Sequence, residues 1–232
     1  MNTIDKNAYD LKTKTTFGFL QLIVMLGLCL FGPVWSFNFW QAWVYLIIFV
    51  VSTTIITIYL WKKDPKLLER RVEAGPGAEK EKTQKIIQLF ASILFFSILI
   101  IPSLDHRFGW SNVPLSIVIV GDILVALGFY IIFLVFRENT FAAATIEIST
   151  DQKVITTGPY SIVRHPMYIG ALIMLLGTPP ALGSWWGLFT FIPFTMIIVL
   201  RLFDEEKFLL KNLPGYKEYC QKIRYRLIPS LW

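Results

Sequence analysis

Two short stretches carry residue types that could do chemistry. The first is Gly158-Pro159-Tyr160-Ser161-Ile162-Val163-Arg164-His165-Pro166-Met167-Tyr168-Ile169-Gly170, and the second is Arg201-Leu202-Phe203-Asp204-Glu205-Glu206. Gly158-Pro159 reads as a turn, because Gly tolerates unusual backbone angles and Pro fixes its own. His165 precedes a proline and is pushed away from the helical region, while Pro166 suits the first turn of the helix that follows. The expected geometry is a cationic loop delivered to the unsatisfied amide end of a helix, a favourable place for an anionic group. In the second stretch, Arg201 and Glu205 stand one helical turn apart on one face and also read as an interfacial ion pair, although Arg before Glu is the weaker order. Arg164-His165 likewise also reads as a topology-setting base beside a capping residue.

The rest of the chain is built to dissolve in lipid. Of 232 residues, 55% are hydrophobic and 16% charged, with a mean hydropathy of +0.57. A soluble domain would carry about 25% charged residues. The eight Trp suit interfacial belts. A net charge of +6 needs no nucleic acid to explain it, since Lys and Arg gather beside the apolar runs, where topology and anionic headgroups account for them. Two His and two Cys at scattered positions give no metal-ligand spacing. Cys29 lies in an apolar run and Cys220 in a basic tail, which excludes a disulfide between them. The polar leader with Asp5 and Asp10, and the lack of a small-residue cleavage site, argue against a signal peptide.

An all-α membrane bundle of six crossings follows from the apolar runs: about 17–35, 39–61, 86–102, 114–136, 167–182 and 185–200, the longer ones near the ~20 residues a bilayer requires. Residues 1–16 form a polar tail with Lys6, Lys12 and Lys14. Residues 62–85 are strongly basic, Lys80 among them, and are broken at Gly75-Pro76-Gly77. They read as a short amphipathic piece, a turn and a lead-in helix. Asp105-His106-Arg107 falls in a short link. The connection 137–166 is longer than a plain loop needs, and Ile146, Ile148, Val154 and Ile155 suggest a hairpin around Thr150-Asp151-Gln152. The last two spans form a hairpin through Gly183-Ser184, the first of them short and interrupted by Pro179-Pro180. Lys and Arg concentrate in the N-tail, 62–85, 137–166 and the C-tail, so both termini and both polar stretches are expected on the cytoplasmic side. The chain reads as one domain, with spans in 1–113 and a catalytic half in 114–232.

With one membrane hairpin between Arg164-His165-Pro166-Met167-Tyr168 and Glu205-Glu206, and Gly158-Pro159-Tyr160 leading in, the sequence resembles the isoprenylcysteine carboxyl methyltransferase and phospholipid methyltransferase superfamily over roughly 129–232. The resemblance implies methyl transfer from S-adenosylmethionine to a lipophilic acceptor drawn from the bilayer. It places Tyr160, Arg164, His165, Pro166 and Tyr168 in the first half of a cofactor site, with His165 and nearby amides at the methionine carboxylate. Glu205 and Glu206 form the second half, at the ribose hydroxyls or amino group, and Arg201 meets the acceptor carboxylate. The cofactor pocket is expected to open to the cytoplasm, in the inner or plasma membrane if the host is bacterial, among membrane lipids and without metal or nucleic acid.

O-methylation of a carboxyl on a prenylated or other lipophilic acceptor is the leading expectation. N-methylation of a phospholipid amine is the alternative, with Glu205 as base. A transporter or lipid-binding protein is the non-enzyme alternative, although no paired broken helices in repeated halves support it. The doubly wound sheet of soluble methyltransferases is excluded, as Gly75-Pro76-Gly77 follows no strand. Asp122 is a costly carboxyl in the fourth span. Gly121 and Gly128, two turns apart, predict close helix packing. Asn139, Thr140 and Phe141 match a family segment before the cofactor loop. Tyr216, Tyr219, Arg224 and Arg226 read as an amphipathic surface over the site, and His106 as solvated.

Overall fold

The computed structural model describes residues 3–72, 75–79, 81–149 and 151–232, with side chains from residue 10 onward. Lys80 and Thr150, and the side chains of Asp5 and Lys6, lie outside that set. The described residues form eight α-helices and no strand: α1 Thr3–Phe31, α2 Trp40–Lys63, α3 Pro65–Val72, α4 Lys82–Phe108, α5 Leu115–Glu138, α6 Pro166–Ala181, α7 Leu188–Asn212 and α8 Tyr216–Lys222. Residues 10–31 of α1, and all of α2, α4 and α5, are long and apolar enough to cross a membrane. Helix α6 is apolar but only 16 residues long, and α7 turns polar at Arg201. Leu28, Ile55, Ile123 and Met196 point outward, each more than half exposed. In water such a surface would aggregate; in a bilayer it faces its own solvent. The chain is an integral membrane protein.

Small residues decide the tightest packing. Gly121 and Gly128 on α5 meet Gly177 and Gly170 on the antiparallel α6. A Cβ at Gly128 would stand 2.6 Å from the Gly170 carbonyl oxygen, and one at Gly177 would stand 2.7 Å from that of Gly121. Lipid gives helices no hydrophobic reason to associate, so close backbone approach supplies the contact. The pairing fixes α6, whose first residues carry Pro166 and Tyr168.

Three local readings are corrected. The third apolar helix does not stop at Pro102 but runs on to Phe108, closed by Gly109 at φ 65°. Asp105-His106-Arg107 is therefore its last turn rather than a link. Tertiary contacts hold that turn beyond the proline. Asp105 accepts from the Ser111 amide (2.7 Å) and hydroxyl (2.6 Å) and from the Ser184 hydroxyl, His106 stacks on Phe39 with centroids 4.0 Å apart, and Arg107 donates to the Pro33 carbonyl at 3.1 Å. His106 remains exposed to solvent, as expected, with one ring face on Phe39. Among the described residues of the 137–166 connection no strand pair forms, although the Gln152 amide closes a turn on the Ser149 carbonyl at 3.0 Å; Ile148 and Val154 join Leu213, Tyr216 and Tyr219 in a small core against α8. Finally, α7 begins at Leu188, not Trp185, since Ser184 and the residues after it turn around the Asp105 cluster.

The other end of the bundle holds the functional stretches. Asp64 ends α2 and its carboxylate accepts from the Leu67 amide at 3.0 Å, so α3 starts at once with Pro65 in its first turn. Leu67 and Leu68 bury against Leu60, Val135 and Phe136. That leaves Arg70 and Arg71 facing residues 140–144, where Arg70 donates to the Thr140 carbonyl at 2.9 Å.

Candidate active site

The two polar stretches meet. The 3-10 turn Gly158–Ser161 leads to the residue before Pro166, and the last turns of α7 come alongside. Tyr168 donates its hydroxyl to Glu205 at 2.5 Å, and its ring stacks on His165 with centroids 5.6 Å apart. His165 Nε2 lies 3.2 Å from Glu206, and Arg164 Nη1 lies 2.9 Å from the same oxygen. Asn139 donates to the Tyr160 hydroxyl at 2.8 Å. Burial pushes the Tyr160 phenol up to about 12, only partly offset by that bond, so the hydroxyl keeps its proton at neutral pH.

A cavity of about 410 Å³ opens at this junction, within the ~300–1,000 Å³ span of small-molecule sites. Tyr160, Arg164, His165, Pro166, Tyr168 and Glu205 all line it, and so does Arg201. Ala91, Ala171, Met174, Ile197 and Ile198, one to two turns deeper in α4, α6 and α7, give it an apolar floor. Its polar wall also includes Tyr216, whose buried hydroxyl has no hydrogen-bond partner among the described residues. Aromatic faces, the carboxylates of Glu147 and Glu205 and the guanidinium groups of Arg71, Arg164 and Arg201 thus line one cavity.

Two expected ligands of the cofactor are occupied by the protein itself. Glu206 lies behind the wall. One of its oxygens meets Arg164 and His165, and the other accepts from Arg226 Nε at 2.9 Å. Burial would raise its pKa, but the bonds from His165 and Arg226 and the charge of Arg164 outweigh that and hold it below the ordinary carboxylate value. The amides expected to meet an anion are also taken: Arg164 N donates to the Tyr225 carbonyl (2.9 Å) and His165 N to that of Arg226 (3.0 Å). The tail 223–232 is therefore a strap across the loop rather than only an interfacial surface. Tyr219 strengthens it, donating to the Tyr160 carbonyl at 2.7 Å.

Arg201 does not pair with Glu205. Its guanidinium meets Glu79 at 2.8 Å, the Gln84 side chain at 3.0 Å and the Ala144 carbonyl at 2.9 Å. Glu79, 3% exposed, also accepts from the Ile146 amide. Glu79, Gln84 and Arg71 escape sequence reasoning because they lie in a basic segment whose charges topology already explains. Arg71 lines the cavity, and burial together with the charge of Arg201 lowers its pKa to about 10.

An all-helical integral membrane protein with a bipolar cavity at one end of its bundle is thus defined. A family model described as phospholipid methyltransferase matches residues 116–214. A protein-S-isoprenylcysteine O-methyltransferase B of Arabidopsis thaliana is 31% identical over 146 residues, covering 60% of this chain and 66% of the relative. A probable protein-S-isoprenylcysteine O-methyltransferase of Oryza sativa subsp. indica is 33% identical over 132 residues, 54% of this chain and 64% of the relative. A Delta(14)-sterol reductase of Mus musculus is 31% identical over 139 residues, 52% of this chain but only 32% of the relative. The chain therefore spans about a third of the reductase and close to two thirds of the plant enzymes. It belongs to the isoprenylcysteine carboxyl methyltransferase and phospholipid methyltransferase superfamily, as the two-part motif implied.

Proposed function

We propose that the protein is an S-adenosylmethionine-dependent membrane methyltransferase that O-methylates a carboxyl group of a prenylated or other lipophilic acceptor. The observation that carries the reading is the cavity itself, where Tyr168 and Glu205 stand in one polar wall above an apolar floor. Relatives of more than one description match this chain, so the choice rests on the site. S-adenosylmethionine supplies a methyl already activated on a sulfonium sulfur. The protein's own work is then to bind, align and keep dry.

In this reading Tyr160, His165, Pro166, Tyr168 and Glu205 form the cofactor wall. Glu205 has acceptor capacity left for an ammonium or ribose hydroxyl beyond its bond from Tyr168. Glu206 and Arg164 act as positioning residues that hold His165. Arg201 anchors the Ala144 stretch to α7, and the apolar floor admits the acceptor from the bilayer. A carboxylate acceptor needs no general base. The chain is one domain of six crossings, with both termini and the cavity mouth cytoplasmic, needing no metal or nucleic acid.

Membranes containing the protein should incorporate label from methyl-labelled S-adenosylmethionine into a lipid-soluble product that releases volatile methanol on base treatment. Label that survives base in a lipid headgroup would replace this reading with N-methylation. No incorporation above membranes lacking the protein would reject the enzyme.

A further inference from the structure

One cation on the cavity wall has no role in the reading above. Arg71 reaches the cavity from α3, outside the matched region. A guanidinium carries five N–H donors. Nη1 of Arg71 donates to the Ala143 carbonyl at 3.0 Å and lies 3.9 Å from the Met167 sulfur, and the Phe136 ring centroid is 5.0 Å from the guanidinium carbon. Nε and Nη2 have no protein acceptor among the described residues, and no carboxylate there lies within ion-pair distance.

Arg201 is in the opposite condition, neutralised by Glu79 and bonded to Gln84 and Ala144. A buried cation without a counter-charge is costly unless a ligand supplies one. Contact with Met167 sets Arg71 at the first turn of α6, where the helix macrodipole adds positive potential. The orphaned hydroxyl of Tyr216 on the same wall is a second group awaiting a ligand.

We propose that Arg71 is the carboxylate-binding residue of this cavity, holding a ligand carboxylate through Nε and Nη2 in a paired N–H···O arrangement. With an acceptor carboxylate Arg71 takes the part the family resemblance gave Arg201, and with a donor carboxylate the part it gave His165. The proposal rests on the methyltransferase reading, in which two molecules bring a carboxylate: the methyl donor through its amino-acid end, and the lipophilic acceptor.

Binding to purified full-length protein in detergent separates the sources. The donor pair is S-adenosylhomocysteine and 5′-methylthioadenosine, which lacks the carboxylate. The acceptor pair is N-acetyl-S-farnesylcysteine and its methyl ester. Arg71→Gln should weaken one of the two acids by about tenfold or more while its carboxylate-free counterpart binds as to wild type, which also reports an intact fold. The acid affected names the source. If Arg71→Gln loses all four compounds, Arg71→Lys decides. Counterparts restored with an acid still weakened support the proposal, since an ammonium keeps the charge without the fork; any other Arg71→Lys result overturns it. Wild-type binding of both acids unchanged in Arg71→Gln overturns the proposal alone. Wild-type protein that binds neither acid overturns the methyltransferase reading and the proposal with it.

Discussion

Glu206→Ala is expected to destabilise the protein by about 3–5 kcal/mol, the range for removing one partner from a buried ionic cluster. The carboxylate is 5% exposed and meets Arg164, His165 and Arg226 from two separate segments. Its loss would leave two guanidinium groups facing each other without a counter-charge. The strap 223–232 would lose its ionic tie, keeping the backbone bonds to Arg164 and His165, the bond from Arg164 Nη2 to the Arg224 carbonyl and the contact of Trp232 with Phe203. Unfolding in detergent, compared with wild type at neutral pH, measures the effect. Glu206 sits below its ordinary value in the folded protein. Its contribution is therefore complete above the unfolded glutamate value of ~4.3 and fades as pH falls through the lower folded value. The gap between wild type and Glu206→Ala should narrow on acidification through that window. Equal stability of the two proteins at pH 7 would show that the cluster holds nothing together.

The second large effect is expected at Glu79. Glu79→Ala strands Arg201 inside the bundle end and frees the Ile146 amide, again at about 3–5 kcal/mol. The pair ties the chain before α4 and the segment after α5 to the same point on α7. Both must hold if the cavity wall between them is to keep its shape. Glu79→Met combined with Arg201→Met should recover most of the lost stability, because a well-packed apolar pair replaces a buried ion pair at little cost. Additive losses from Glu79→Ala and Arg201→Ala, with no coupling in the double variant, would mean the pair is incidental.

These effects also mark where the sequence was legible. Arg164-His165-Pro166-Met167-Tyr168 and Glu205-Glu206 stood out because such groups are expensive beside lipid, and one hairpin between them allows only one meeting place. Gly121 and Gly128 announced α5 packing, and their partners Gly170 and Gly177 repeat the same interval on α6. Arg71 and Glu79 were hidden in a segment whose basic character was already accounted for. The strap was hidden for a different reason. It is held largely by main-chain bonds, such as Arg164 N to the Tyr225 carbonyl, which no side-chain pattern records. Alternation misled at Ile146, Ile148, Val154 and Ile155. Apolar residues at strand spacing serve equally to pack an extended segment against α8. Pro102 misled as a helix end because contacts at Asp105 and His106, distant in sequence, carry the helix past it.

The central claim is that both polar stretches close over one molecule of S-adenosylmethionine, and calorimetric titration of purified protein with S-adenosylhomocysteine tests it most directly. Saturable binding at one site per chain is predicted, weakened about tenfold or more in Glu205→Gln, whose Tyr168 contact lies on the cavity wall. No binding by wild type, or binding untouched by Glu205→Gln in a folded protein, would contradict it.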